Sequence, residues 1–120
     1  MRHARDLRIL VHAMRPEAKV IFAMQPFAPV MARQPCQEEQ RLFALTSAVQ
    51  GYAWQRLEEE LRSLWSGYVE RLEAYARQER VAWIDLNQAS LSGWSFVDQA
   101  HLTDHGYQQA AECLARQLGQ

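Results

Sequence analysis

Asp98 and His101 form the pairing with the most chemistry in this chain. They lie three residues apart in the run Phe96-Val97-Asp98-Gln99-Ala100-His101-Leu102-Thr103-Asp104-His105-Gly106-Tyr107. On a turn, that spacing lets the carboxylate reach back to the imidazole. The hydrogen bond would keep Nδ1 protonated and leave Nε2 free as a general base, which is the task of the acid in a Ser-His-Asp triad. The run follows a segment read below as a strand, and the carboxyl end of a parallel strand is where open α/β sheets place their sites. An Asp-x-x-His string also arises by chance, and a surface turn with a capping aspartate accounts for the spacing equally well. The rival chemistry is a metal held by Asp98, His101, Asp104 and His105, since histidines at i and i+4 share a helix face. Thr103 argues against it, because a helix capped there contains His105 but not His101. Asp104 and His105 are then satisfied as first-turn residues, with Asp104 complementing the helix dipole. No metal or other cofactor is expected.

The elements that must position this pair can be read from periodicity. Leu7, Leu10, Val11 and Met14 fall on one face of a short helix that has to end before Pro16. Val20-Ile21-Phe22-Ala23-Met24 is a continuous apolar run with β-branched residues, as in a strand covered on both faces of a parallel sheet. Pro26, Pro29 and Pro35 then impose an irregular loop. Residues 38–80 contain no proline, and Leu42, Leu45, Val49, Tyr52, Leu57, Leu61, Leu64, Tyr68, Leu72 and Tyr75 trace one apolar stripe. A long amphipathic helix is predicted there, broken once at Gly51 or Gly67, with Tyr52, Trp65, Tyr68 and Tyr75 as packing residues rather than a ligand cleft. Val81-Ala82-Trp83-Ile84-Asp85-Leu86 reads as a second strand, followed by a serine- and glycine-bearing loop. Tyr107, Ala110, Ala111, Leu114 and Leu118 give a last helix its apolar face.

The alternation predicts an α/β layer with a parallel sheet and right-handed crossovers. Two strands make a poor sheet, so either strands are missing or a partner supplies them.

Composition bounds the function. The 120 residues are expected to form a single domain, 48% of them apolar and 22% charged, as in ordinary globular chains. Thirteen basic residues against fourteen acidic ones leave no electrostatic case for nucleic acid or an anionic membrane as partner. Cys36 and Cys113 lie far apart without CxxC spacing and are expected as free thiols. No apolar run is long enough for a membrane span, and His3, Arg5, Asp6 and Arg8 interrupt the N-terminal stretch, so no signal peptide is expected either. These residues assign no compartment.

The block from Asp98 to Tyr107, running into an amphipathic helix with Ala110-Ala111, resembles the last conserved block of SGNH/GDSL serine hydrolases. The resemblance reaches upstream through the strand and proline loop of residues 20–29, the helical excursion of residues 38–80, and the strand ending in Ile84-Asp85-Leu86. It implies part of a three-layer α/β/α, flavodoxin-like fold, with Asp98 as triad acid, His101 as triad base, and acyl or acetyl esters as substrates. The departures are as specific. No Gly-Asp-Ser occurs among the five glycines, and Asn87, the only asparagine, is not in a Gly-x-Asn-Asp segment, so the nucleophile and oxyanion blocks are absent from this chain. Ser47, Ser66, Ser92 and Ser95 do not sit in strand-to-helix elbows. The resemblance therefore implies the C-terminal half of such a domain, beginning after the third strand of the sheet. The alternative is a non-catalytic, degenerate or truncated module that binds a partner chain. Self-association, or pairing with the missing half, is expected through the edge of the first strand.

Overall fold

The computed structural model describes residues 2–119. Among them are helix α1 (Arg2–Met14), strand β1 (Ile21–Met24), helices α2 (Gln37–Gln50) and α3 (Tyr52–Gln78), strand β2 (Ala82–Asp85) and helix α4 (Asp104–Leu118). The fold is α/β. Its strands pair in parallel, with Ile21 opposite Ala82 and Met24 opposite Asp85. The order and strand positions are those expected, β1 lacking Val20 and β2 lacking Val81 and Leu86.

Local chemistry explains the punctuation. Pro16 disfavours a helical Arg15, and α1 stops at Met14. The predicted break in the long helix falls at Gly51, whose φ of 74° lies in the region glycine enters without a Cβ penalty, while Gly67 stays inside α3. Helix α3 closes with a reciprocal pair of bonds: Val81 N–H donates to Ala76 O at 2.8 Å and Arg80 N–H to Arg77 O at 3.1 Å. That geometry puts Arg80 in the left-handed region, with φ 54°, where glycine or asparagine is usual. It turns the chain directly into β2.

The core lies under the loops that follow the strands. Met31, Leu91, Phe96, Leu102 and Ala110 are buried together, with Phe43 and Ala28 packed on them. Phe96 is fully buried and meets Phe43 edge-on, their centroids 6.4 Å apart.

The helical stripes are less buried than expected. Among the described side chains of α1 only Val11 is buried, and Leu10 and Met14 face solvent. Along α2 and α3, Leu45, Val49, Leu57, Leu64 and Tyr68 are exposed, and Tyr52 is 71% exposed. Reading Tyr52 as a packing residue is therefore corrected, whereas Tyr68, exposed on one side, packs on Trp65 with ring centroids 5.9 Å apart. Trp65 and Tyr75 are half-buried, stacked on Phe27 and Phe22. The reason is dimensional. At 27 residues α3 is roughly 40 Å long, whereas each four-residue strand spans about 13 Å, so the sheet cannot cover the helix.

Candidate functional site

The turn of residues 96–102 holds the site. Val97 N–H donates to His101 O at 2.9 Å and Phe96 bridges Leu102 in antiparallel fashion, so the turn is a short closed hairpin. Asp98 Oδ1 accepts from the backbone N–H groups of Ala100 and His101, each at 2.8 Å. This local aspartate turn holds the carboxylate whatever the imidazole does. The His101 ring comes to the same carboxylate, with Nδ1 at 2.8 Å from Oδ2 and 2.9 Å from Oδ1. The His101 side chain is 68% exposed, and among the described residues nothing hydrogen-bonds its Nε2. Burial raises the Asp98 pKa, but the Ala100 amide, the His101 ring and amide and the imidazolium charge outweigh it, leaving Asp98 below its ordinary 3.8. A carboxylate ionised at neutral pH on Nδ1 and an outward Nε2 suit general-base work.

Two sets of contacts place this turn at the carboxyl ends of the strands. Asn87, buried just after β2, accepts from Phe27 N–H at 2.6 Å and donates to Gln25 O at 3.0 Å and Asp85 Oδ1 at 2.9 Å. It ties the end of β2 to the end of β1. The chain after β1 then grips the turn, because Gln25 Nε2 donates to Ala100 O and Ala28 N–H donates to Gln99 O at 2.9 Å. On the other side Thr103 caps α4: its N–H donates to Ser95 O at 2.9 Å, and its Oγ1 donates to Trp94 O and accepts from Gly106 N–H. A groove of about 490 Å³ opens beside the turn, lined by Met24, Phe27, Leu64, Trp65, Tyr68 and Ala100.

His105 does not join the pair; its Nε2 meets Ser92 O at 3.0 Å. Among the described residues no three His, Cys, Asp or Glu side chains gather at a metal's reach. Of the serines, Ser95 is buried and hydrogen-bonds Ser92 O and Gln109, and Ser92 bonds the same glutamine. Ser47 and Ser66 lie on α2 and α3. None of the four is hydrogen-bonded to His101.

The periodicity reading passes over Glu39, which is 0% exposed. It sits in the first turn of α2, and its carboxylate accepts from Ser95 N–H at 2.8 Å, Phe96 N–H at 3.0 Å and Cys36 N–H at 2.9 Å. Arg33 closes the cluster with Nη1 at 3.1 Å from Oε1 and Nη2 at 3.0 Å from Oε2, its guanidinium lying over the Phe96 ring. Burial pushes the Glu39 pKa up; the Arg33 hydrogen bond, the Ser95 and Cys36 amides and the Arg33 charge pull it further down, to below the ordinary 4.5. The one sequence signal is a glutamate three residues after Cys36, the spacing of a capping box.

A depressed folded-state pKa means that the unfolded chain binds the proton first, so Glu39 contributes stability that is complete above about pH 4.5 and is lost as pH falls through the folded value. The native melting temperature is therefore expected to drop between pH 5 and pH 3 more steeply than that of Glu39→Gln. Thermal melts across that range check this, and parallel curves for the two chains would contradict it.

No family model matches the chain, and no curated protein matches it.

Proposed function

We propose that this chain carries the acid–base part of an SGNH/GDSL-type serine-hydrolase site, with His101 as the base that takes and returns the nucleophile's proton and Asp98 as the acid that orients it. The observation that carries the reading is the Asp98 carboxylate on His101 Nδ1 with Nε2 turned outward, at the carboxyl ends of two parallel strands. The apolar groove beside Ala100 agrees with an acyl or acetyl ester as substrate.

In the proposed reaction a serine hydroxyl adds to the ester carbonyl as its proton passes to Nε2. The imidazolium, held by Asp98, then protonates the departing alkoxide, and a water attacks the acyl-enzyme by the same exchange. The serine and the oxyanion donors lie outside the blocks this chain contains, so the chain by itself is expected to be inactive as an esterase. Donors and nucleophile supply most of the rate in such sites, and an isolated His/Asp pair keeps little of it. Turnover of p-nitrophenyl acetate is expected to stay close to that of free imidazole. A rate about a hundredfold above it, abolished by a serine-directed phosphonate, would refute the division of the site.

A second reading, a non-catalytic module that binds a partner chain, is favoured by the apolar residues left in water on α2 and α3. The DNA upstream of Met1 separates the two. In-frame Gly-Asp-Ser and Gly-x-Asn-Asp blocks belong to the hydrolase.

A further inference from the structure

Glu39 is far from the pair in sequence and close to it in the fold. Its Oε1 accepts from the backbone of Ser95 and Phe96, and these two residues begin the hairpin that carries Asp98 and His101. Its Oε2 accepts from Cys36 N–H, which fixes the carboxylate to the first turn of α2. Arg33 grips both oxygens and also donates to Gly93 O at 3.0 Å, two residues before Ser95.

We propose that Glu39 is a positioning residue for the Asp98/His101 pair, setting the height and direction of the 95–96 backbone from which the catalytic turn springs; this rests on the acid–base reading of the pair. Charge-assisted bonds from backbone amides are short and about twice as strong as neutral ones, so the anchor is stiff. The path from it to the pair is short. Ser95 O accepts from Thr103 N–H and Val97 N–H donates to His101 O, so displacement of residues 95–96 moves both legs of the hairpin. Other holds on the turn, from Gln25, Ala28 and the Phe43 carbonyl, reach residues 99 and 100 at its tip. Glu39 holds its base. A buried carboxylate and guanidinium are expensive to desolvate, and an apolar residue of the same volume is often as stable. What such a residue lacks is an acceptor that sets amide direction.

The test is a mutant cycle read by the Nδ1–H resonance of the His101 ring, followed by NMR on the folded chain. In the native background Asp98→Asn is expected to move that proton resonance upfield and to speed its exchange with water, the effect of replacing a charged acceptor by a neutral one. In Glu39→Met, which keeps the volume and removes the acceptor, the same Asp98→Asn change should shift it by less than about half as much, because carboxylate and imidazole no longer meet squarely. Glu39→Gln keeps an acceptor oxygen and should retain most of the native effect. Glu39→Asp keeps the charge but draws it back by one methylene and should lose it; that variant decides the matter if Glu39→Met does not fold. A merely structural Glu39 would lower the melting temperature and leave the Asp98 effect on His101 unchanged in Glu39→Met and Glu39→Asp, which overturns the proposal. An Asp98→Asn change without effect in the native background would instead remove the acid–base reading, and this role with it.

Discussion

Substituting alanine at Gly106 is expected to lift the Asp98/His101 hairpin from α4 and to cost the chain at least about 1–3 kcal/mol, the usual penalty for forcing a methyl group into a filled site. A Cβ at Gly106 would collide with Ser95 O and stand 3.0 Å from Ser95 C and 3.1 Å from Leu102 Cδ2. The leucine tip can yield by rotation. The carbonyl cannot, because Ser95 O is the acceptor for Thr103 N–H, and Ser95 is held from behind by Glu39. Moving α4 instead breaks the cap, since Gly106 N–H is the group that Thr103 Oγ1 accepts. Either way the hairpin loses its seat. For a chain of this size about 2 kcal/mol corresponds to a fall in melting temperature on the order of 10 °C. Gly67→Ala is the control: it lies inside α3 with nothing within 4 Å of an added Cβ, and alanine there is expected to be neutral or stabilising by up to about 1 kcal/mol. A Gly106→Ala chain melting within about 2 °C of the native one would show that the contact relaxes freely and that α4 does not seat the site.

Glycine at position 106 reads from sequence only as part of the Gly-Tyr that opens the last helix, and the contrast marks what the chain discloses. Periodicity and proline placement locate all four helices and both strands, because each depends on neighbours a few residues away. The Asp98/His101 contact is legible for the same reason, being a turn across three residues. Glu39, Gln25 and Ala28 could not be found that way, since their contacts with the hairpin run across 56 to 75 positions, nor could Asn87, which joins the two strand ends across 60. No spacing rule spans such a gap. The stripe on α2 and α3 fails differently. It is truly amphipathic, yet amphipathicity records only which face seeks cover. That two four-residue strands would leave Tyr52, Leu64 and Tyr68 in water follows from the length of the sheet.

The same shortage of sheet predicts association. Strand β1 is paired to β2 on one side, and among the described residues its other edge has no partner strand. An unpaired edge presents a row of backbone donors and acceptors to any chain that can lie along it. The apolar residues exposed nearby, Leu64 and Tyr68 on the groove beside the end of β1, add area that water covers poorly. At micromolar concentration the chain is therefore expected to self-associate, with light scattering giving a mass above 13.9 kDa that rises with concentration. The edge and the helix face are separable. Ala23 is an exposed residue of β1, and Ala23→Lys places there the charge with which natural edge strands repel a second strand. It should weaken association by about tenfold, or 1.4 kcal/mol, with the circular-dichroism spectrum unchanged. Leu64→Gln should have the smaller effect. If only Leu64→Gln disperses the chain, the interface lies on α3 and the edge prediction is wrong. A monodisperse monomer with cooperative unfolding would go further: two strands and four helices would then suffice for an autonomous fold, and the expectation that this sheet needs another chain would fail.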